Sequence, residues 1–415
     1  MDKKQKVIVS SVSDCREKNG IVTFMEILAR NASRFEASGL DLAFANYVDL
    51  QHSCTEVATT LSAQAAHPTA TAAPSLPLRA RLKRKVKEVI RQRPFPAFAL
   101  FLGTLGVRGL ITAIKARRYD EPGCVHFYQD FLTASFGCFL HHRTARRVII
   151  LHSGDDALSQ LLVHFPGMQG TGYERRVRQW FDWTLQRQHA IVALSEKYAS
   201  DLRKSYPKHE VQCIYNTSPF SGARSVVGRS GRQQDRIKLV AVGTLQYRKG
   251  FDMLIKAVAS MPSAERNKLE VTIVGGGPSH GELEALIDQY GLNDRITLAG
   301  ESHNVASFLQ PSDAYILTSR DEGLPISLIE ACSFGLPIIS TPVGSIPELF
   351  DDASCKFAHP SEDSIADALM ALCTGKLDLE NLSRQSKKIF DSKMSLEKFL
   401  SSYINLLSGN PVVKL

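Results

Sequence analysis

The sequence predicts an α/β protein: two doubly wound, Rossmann-like domains whose strand C-termini face a central cleft. Three observations carry this. At 415 residues the chain is long for a single core. Both halves alternate short apolar runs with amphipathic helical patterns, the signature of parallel βαβ units. Between the halves, residues 218–236 are polar, rich in Ser, Gly and Arg, and read as a linker. The domains are accordingly expected at 1–217 and 237–390, with a last segment, 391–415, forming a helix that returns to the first domain. A composition of 44% hydrophobic and 22% charged residues excludes a disordered chain.

In the first half, Lys6–Val12, Leu40–Val48, Cys124–Gln129, Val148–His152, Ala190–Leu194 and Val211–Tyr215 read as strands. Ile21–Asn31, Tyr173–Gln188 and Glu196–Tyr206 read as helices. Lysines precede Val7–Val9, but this apolar run is too short for a secretory h-region. A cytoplasmic protein is the expectation. Its eight scattered cysteines, with no C-x-x-C, are expected as reduced structural thiols. In the second half, strands are expected at Ile237–Leu245, Leu269–Val274, Ile296–Leu298, Ala314–Thr318 and Pro337–Thr341. Helices between them are expected near Gly250–Met261, Gly281–Tyr290, Asn304–Leu309, Pro325–Phe334 and Ser345–Phe350.

Residues 55–118 read as an insert. Residues 55–77 are Ala/Thr/Ser/Pro-rich and loop-like. The run RARLKRKVKEVIRQR, residues 79–93, places Leu82, Val86, Val89 and Ile90 on one helical face among basic residues. The next fourteen residues, 94–107, carry no charge and are too few to span a bilayer. Residues 79–107 are therefore expected to dock on an anionic membrane surface, placing the protein peripherally on the inner face of the cell membrane. The alternative is a solvated basic helix followed by a core helix. Between Arg79 and Arg118 the charge is +11 of a net +8, so the rest of the chain carries −3 and is no general nucleic-acid binder.

The densest chemistry lies in SRDEGLPISLIEACSFGLPIISTPVGSIPE, Ser319 to Glu348. Glu322 and Glu330 stand eight residues apart, the first on a loop after a strand, the second inside a helix. Pro325 fits the first helical turn. The N–H groups of Gly323, Leu324 and Ser327 are expected to hold an anion. Carboxylates on either side of an anion site suit a nucleotide sugar, with diols at both ends and a diphosphate between. Gly243 lies near the end of the strand Ile237–Leu245, and Arg248 and Lys249 follow where the diphosphate is expected. Gly275 begins a glycine turn lining the same site. The stretch Gly277–Gly281 matches G-x-S-x-G around Ser279, a pattern that glycine-rich loops reach by chance. No D-x-D triplet and no H-E-x-x-H occur, so no metal and no cofactor are expected.

With its strand, EGLP, helix and TPVGSIPE context, this segment resembles the E-x7-E signature of the retaining glycosyltransferase family 4, glycosyl transferases group 1, whose fold is GT-B. The resemblance implies a retaining, metal-independent sugar transfer from a nucleotide sugar to an acceptor hydroxyl. It implies that Glu330 binds the ribose diol and Glu322 the hexose hydroxyls. Lys249 stabilises the diphosphate, since the family places lysine directly before this glycine. Thr244 stands where the family has arginine, and Arg248 is expected to substitute. His152, ending a first-domain strand, resembles the family's strand-His-Gly element near the anomeric carbon, interrupted here by Ser153. Gly20 resembles the family's glycine turn near donor and acceptor. Asp155 and Asp156 are candidates for the acceptor, expected as a lipid-linked saccharide of a bacterial surface polysaccharide. Two other classes remain. A non-catalytic GT-B scaffold is opposed by the presence of Glu322, Glu330 and Lys249. An NAD oxidoreductase is opposed by the lack of G-x-G-x-x-G after the first strand.

Overall fold

The computed structural model describes residues 4–13, 20–46, 90–152, 156–162, 164–218, 220, 236–302 and 304–409. They form two compact units: residues up to Tyr215 together with those from Phe399 onward, and Asn216–Lys398.

The N-terminal unit is built on a parallel sheet of β1 (Gln5–Ser11), β2 (Leu40–Asn46), β3 (Val125–Tyr128), β4 (Arg146–Leu151), β5 (Ala190–Ala193) and β6 (Glu210–Cys213), in the order β2-β1-β3-β4-β5-β6. Every residue of β3 and β5 is buried, as expected for a parallel sheet covered on both faces. The order reverses between β1 and β3, which makes their C-terminal ends the switch point where such sheets bind ligands.

The C-terminal unit has β7 (Ile237–Val242), β8 (Leu269–Val274), β9 (Ile296–Gly300), β10 (Ala314–Leu317), β11 (Ile338–Ser340) and β12 (Lys356–Phe357). Their order is β12-β11-β10-β7-β8-β9, all parallel, with the switch point between β7 and β10. This is the 3-2-1-4-5-6 order of dinucleotide-binding sheets. The two-residue strand β12 was not legible in the sequence.

Two expectations change. Residues 94–107 do not form a short separate run. They belong to one helix, Pro94–Tyr119, 26 residues long and by length and composition able to cross a membrane. Pro94 and Pro96 fall in the first turn, where a missing N–H costs nothing. Gly103 and Gly106 fall inside a π turn, Leu102–Gly106, that carries the helix onward. One face of this helix is core: Ala97, Phe101, Thr112, Ala113 and Ala116 are buried. Phe101 packs edge-on against Phe165 and Trp180. The second change concerns Pro325. It is the N-cap, with extended backbone, and the helix begins at Ile326. Pro325 donates no N–H, but its carbonyl accepts from Leu328 and Ile329.

The basic run before Ile90 and the loop 55–77 lie outside the described residues, as does most of the linker. The last helix, Leu396–Leu407, sets Phe399 and Tyr403 against Phe24, and Tyr403 also meets Phe127.

Candidate functional site

The C-terminal switch point is shaped by loops that follow β7 and β10. After β7, a 3-10 turn over Tyr247–Lys249 presents two cations, and Gly250 ends it with φ 65° before the helix Phe251–Ser260. A Cβ at Gly250 would lie 2.0 Å from the Thr318 carbonyl oxygen. Glycine is thus required twice, by the left-handed backbone and by the contact. Two further bonds tie the loops together: Arg320 N–H to Arg248 O at 2.8 Å, and Thr318 Oγ1 to Lys249 O at 3.2 Å.

Glu322 is the hub of the charged cluster. Its carboxylate is buried, only 3% exposed. Oε1 accepts from Lys249 Nζ at 2.5 Å and from Ser319 Oγ at 2.6 Å, and Oε2 accepts from Arg248 at 3.0 Å. Three of its roughly four acceptor positions are thereby filled. Glu322 holds two cations in place, whereas the sequence reading assigned it only to hexose hydroxyls. Lys249 is nearly buried and its stem lies along Gly243, where a Cβ would come within 3.3 Å of Cε. Arg248 is 40% exposed and also donates to the Asp321 carbonyl. Gly243 and Gly275 abut at the ends of β7 and β8, where Gly243 N–H donates to Val274 O.

Gly323 and Leu324 lead into the helix Ile326–Ser333, whose first N–H groups have no intrahelical acceptor. The Ser327 hydroxyl bonds Tyr315 Oη at 2.9 Å, anchoring the first turn. Tyr315 is fully buried, and burial pushes its phenol well above the ordinary range, so it stays a neutral partner. Glu330 sits in the same helix, 8% exposed.

Gly344, missed in the sequence, belongs here. At φ 59°, a Cβ on it would fall 2.2 Å from the Glu322 carbonyl oxygen. Ser345 N–H donates to Gly323 O, and the buried Ser345 hydroxyl has no partner among the described residues. The glycine was visible in TPVGSIPE, but its contact is with backbone about twenty residues away. No local signal marks it.

The remaining candidates belong to the N-terminal unit. His152 follows β4, and its Nε2 bonds Gln129 Oε1 at 2.8 Å, with Phe24 edge-on 5.4 Å away. Burial pushes its pKa down to about 3, so it is neutral at pH 7. Gln129, also missed, is buried after β3, and its Nε2 has no partner among the described residues. Asp130 caps the helix Phe131–Leu140 through Thr133 and also accepts from Val12 N–H at 3.0 Å, tying the ends of β1 and β3. Asp156 accepts from Arg178 at 2.8 Å, Ser159 Oγ at 2.6 Å and Leu158 N–H. Burial raises its pKa, but the bonds from Ser159 and Arg178 outweigh that and hold it below the usual carboxylate range. Its carboxylate is thus already engaged in capping and ion pairing. Gly20 opens the helix Gly20–Arg30. Asp155 lies outside the described residues.

The only described group able to hold a metal is Asp120, Cys124 and His126, at the start of β3. Asp120 Oδ1 accepts from His126 at 3.1 Å and Cys124 at 3.3 Å. Burial pushes the Cys124 thiol up to about 11 and His126 down to about 4, the second helped by His141 stacked 3.9 Å away. Cys124 is thus held as a thiol and His126 neutral, in a hydrogen-bond cluster centred on Asp120.

Known proteins resemble this chain in sequence and in fold. Residues 226–389 match the family described as glycosyl transferases group 1. The phosphatidylinositol N-acetylglucosaminyltransferase gpi3 subunit of Schizosaccharomyces pombe is 35% identical over 187 residues, 44% of this chain and 41% of that protein. The putative colanic acid biosynthesis glycosyltransferase WcaL of Escherichia coli is 30% identical, over 37% of this chain and 39% of that protein. The chain thus spans about two fifths of these curated relatives. Among solved structures, Anabaena HepE in complex with UDP superposes with a TM-score of 0.66 at 14% identity, covering 98% of this chain and 100% of that one. Residues 226–389 are thus similar to the glycosyl transferases group 1 family, and the fold of the chain is GT-B.

Proposed function

We propose that this protein is a retaining, metal-independent glycosyltransferase that moves a sugar from a nucleoside-diphosphate sugar to an acceptor hydroxyl. The observation that carries it is the Glu322–Lys249–Arg248 cluster at the switch point of β7 and β10, beside the start of the helix that carries Glu330. In this reading the bond from the anomeric carbon to the diphosphate breaks, and its electron pair leaves with the phosphate. Lys249, Arg248 and the N–H groups of Gly323 and Leu324 stabilise that developing charge in place by preorganisation. Glu322 holds both cations aimed, and its remaining acceptor position takes a hexose hydroxyl. Glu330 accepts from the ribose diol. The acceptor oxygen bonds the same face of the anomeric carbon, and its proton passes to the departing phosphate oxygen. His152, neutral, is suited to hydrogen-bond a sugar hydroxyl.

The acceptor in this reading is a saccharide, lipid-linked and belonging to a surface polysaccharide. Relatives named for colanic acid and Vi polysaccharide biosynthesis support it. Uridine diphosphate sugars are the first donors to try, because HepE was solved with UDP and with UDP-glucose. The test is calorimetric titration of the full chain with UDP, GDP and ADP and their sugars, repeated with Lys249→Ala. Micromolar binding of one diphosphate series, weakened at least about tenfold in the variant, supports the donor site. No binding of any series overturns it.

A further inference from the structure

We propose that the exposed face of the helix Pro94–Tyr119 is a docking surface that lies flat on an anionic lipid bilayer. The proposal extends the lipid-linked acceptor reading, but it rests on its own geometry and is tested by binding rather than transfer.

The helix has two unlike faces. Its inner face is the core described above. Its outer face exposes Phe95 at 64%, Leu102 at 37%, Val107 at 46%, Leu110 at 36% and Ile114 at 53%. These are most of the large exposed hydrophobics in the described residues, and all five belong to one element. The step from Leu102 to Val107 is five residues, which would rotate an ordinary α-helix about 140° out of line. The π turn removes most of that rotation: Val107 N–H donates to Leu102 O, five residues back. The wide turn therefore keeps one apolar stripe continuous along the outer face.

Cations bracket the stripe. Arg93 is exposed at its start, and Arg117 and Arg118 are exposed at its end beside Tyr119. From Arg91 to Tyr119 there are six basic residues and no acidic one. The two ends are roughly 35 Å apart along the helix. Apolar residues in the middle, with arginines at both margins and a tyrosine at one, match a bilayer surface met side-on. The apolar stripe enters the acyl boundary, and guanidinium groups reach back to phosphate headgroups. A second copy of this chain is the poorer occupant, because it would bring the same six cations against these six. A transmembrane placement is excluded by the buried inner face, which contacts the unit's core rather than lipid.

The test is co-sedimentation of the full chain with vesicles of phosphatidylcholine alone and with 30% phosphatidylglycerol added, a composition of about three anionic lipids in ten. The expected result is binding to the anionic vesicles only. Leu110→Glu with Ile114→Glu should reduce the partition at least about tenfold, as should Arg117→Glu with Arg118→Glu. All four positions are on the surface, so the melting temperature and the UDP titration of each variant should match those of the parent chain. Equal sedimentation of the parent and the Leu110/Ile114 variant overturns the proposal, because binding would then come from elsewhere in the chain. Absence of binding to anionic vesicles overturns it too, as does a parent dimer in sedimentation velocity that Leu110→Glu abolishes.

Discussion

The two switch points of this molecule solve the same topological problem with opposite electrostatics. At the C-terminal one, between β7 and β10, the side chains are ions: Glu322 with Lys249 and Arg248, and Arg320 with Asp252 at 2.7 Å. At the N-terminal one, between β1 and β3, they are neutral or capped: Gln129 with His152, and Asp130 on Val12 and Thr133. The histidines whose pKa burial depresses, His126, His141, His152 and His189, all lie in the N-terminal unit. The contrast teaches that a doubly wound sheet supplies only the place. Loop cations at one switch point are held in place by a buried counter-charge. A histidine beside the other switch point is kept neutral by dehydration.

Breaking the ionic side should have the largest effect. Lys249→Ala is expected to lower transfer about 100-fold to 1,000-fold, the scale of removing one preorganised donor to a developing anion. Steady-state kinetics with the donor found by titration would check this, and a loss under tenfold would remove Lys249 from the site. Glu322→Ala should also lower stability, by about 3 kcal/mol, because it strands the nearly buried Lys249 without its partner. Pairing it with Lys249→Ala should recover part of that loss in a double-mutant cycle.

The backbone comes next. Gly250→Val places a branched Cβ against Thr318 O in left-handed backbone, and is expected to cost about 2 kcal/mol or more. Urea titration of the purified variant gives the value. Tolerance of valine there would show that the Lys249 loop has room to shift.

The neutral side is sharpened by pH. His126 titrates at about 4 and His152 at about 3 in the folded unit, against an ordinary 6.5. Below pH 6.5 the unfolded chain therefore binds more protons than the folded one. Their stabilising contribution is complete above that pH and is lost as pH falls from 6.5 toward 4. Each group contributes at most about 1.4 kcal/mol per pH unit. Both tryptophans, Trp180 and Trp183, are in the N-terminal unit. Tryptophan fluorescence during urea unfolding thus reads that unit selectively, and its midpoint should fall between pH 7 and pH 5. His126→Gln should flatten the dependence. The smallest effect is expected from Arg320→Lys, which removes a bidentate Asp252 pair and a guanidinium stacked 3.8 Å over Tyr247, about 1 kcal/mol in all.

Much of the fold was legible because parallel strands must be apolar on both faces and helices on one. Leu269–Val274 appears as read, and most other strands differ by a residue or two at their ends, where hydrogen bonding rather than periodicity sets the boundary. Of the candidate donor site, Glu322 and Lys249 were legible because each directly precedes a glycine at a strand-to-helix turn, and Glu330 because it stands eight residues after Glu322, inside the helix that follows Pro325. Gly344 and Gln129 were not, since the contacts that make them matter join segments far apart in the chain. The insert was half legible. Its basic and apolar blocks were plain, but two prolines and two glycines looked like breaks, and only the first turn and the π turn absorb them. By itself, then, the sequence determined two doubly wound halves, an acidic pair at a helix start and a basic, apolar segment. It could do so because periodicity and turn chemistry are local. Only the tertiary structure decided that Lys249 and Arg248 close on Glu322, and that five apolar side chains of one helix share its outer face. Those outcomes depend on strand order and packing, which no local pattern encodes.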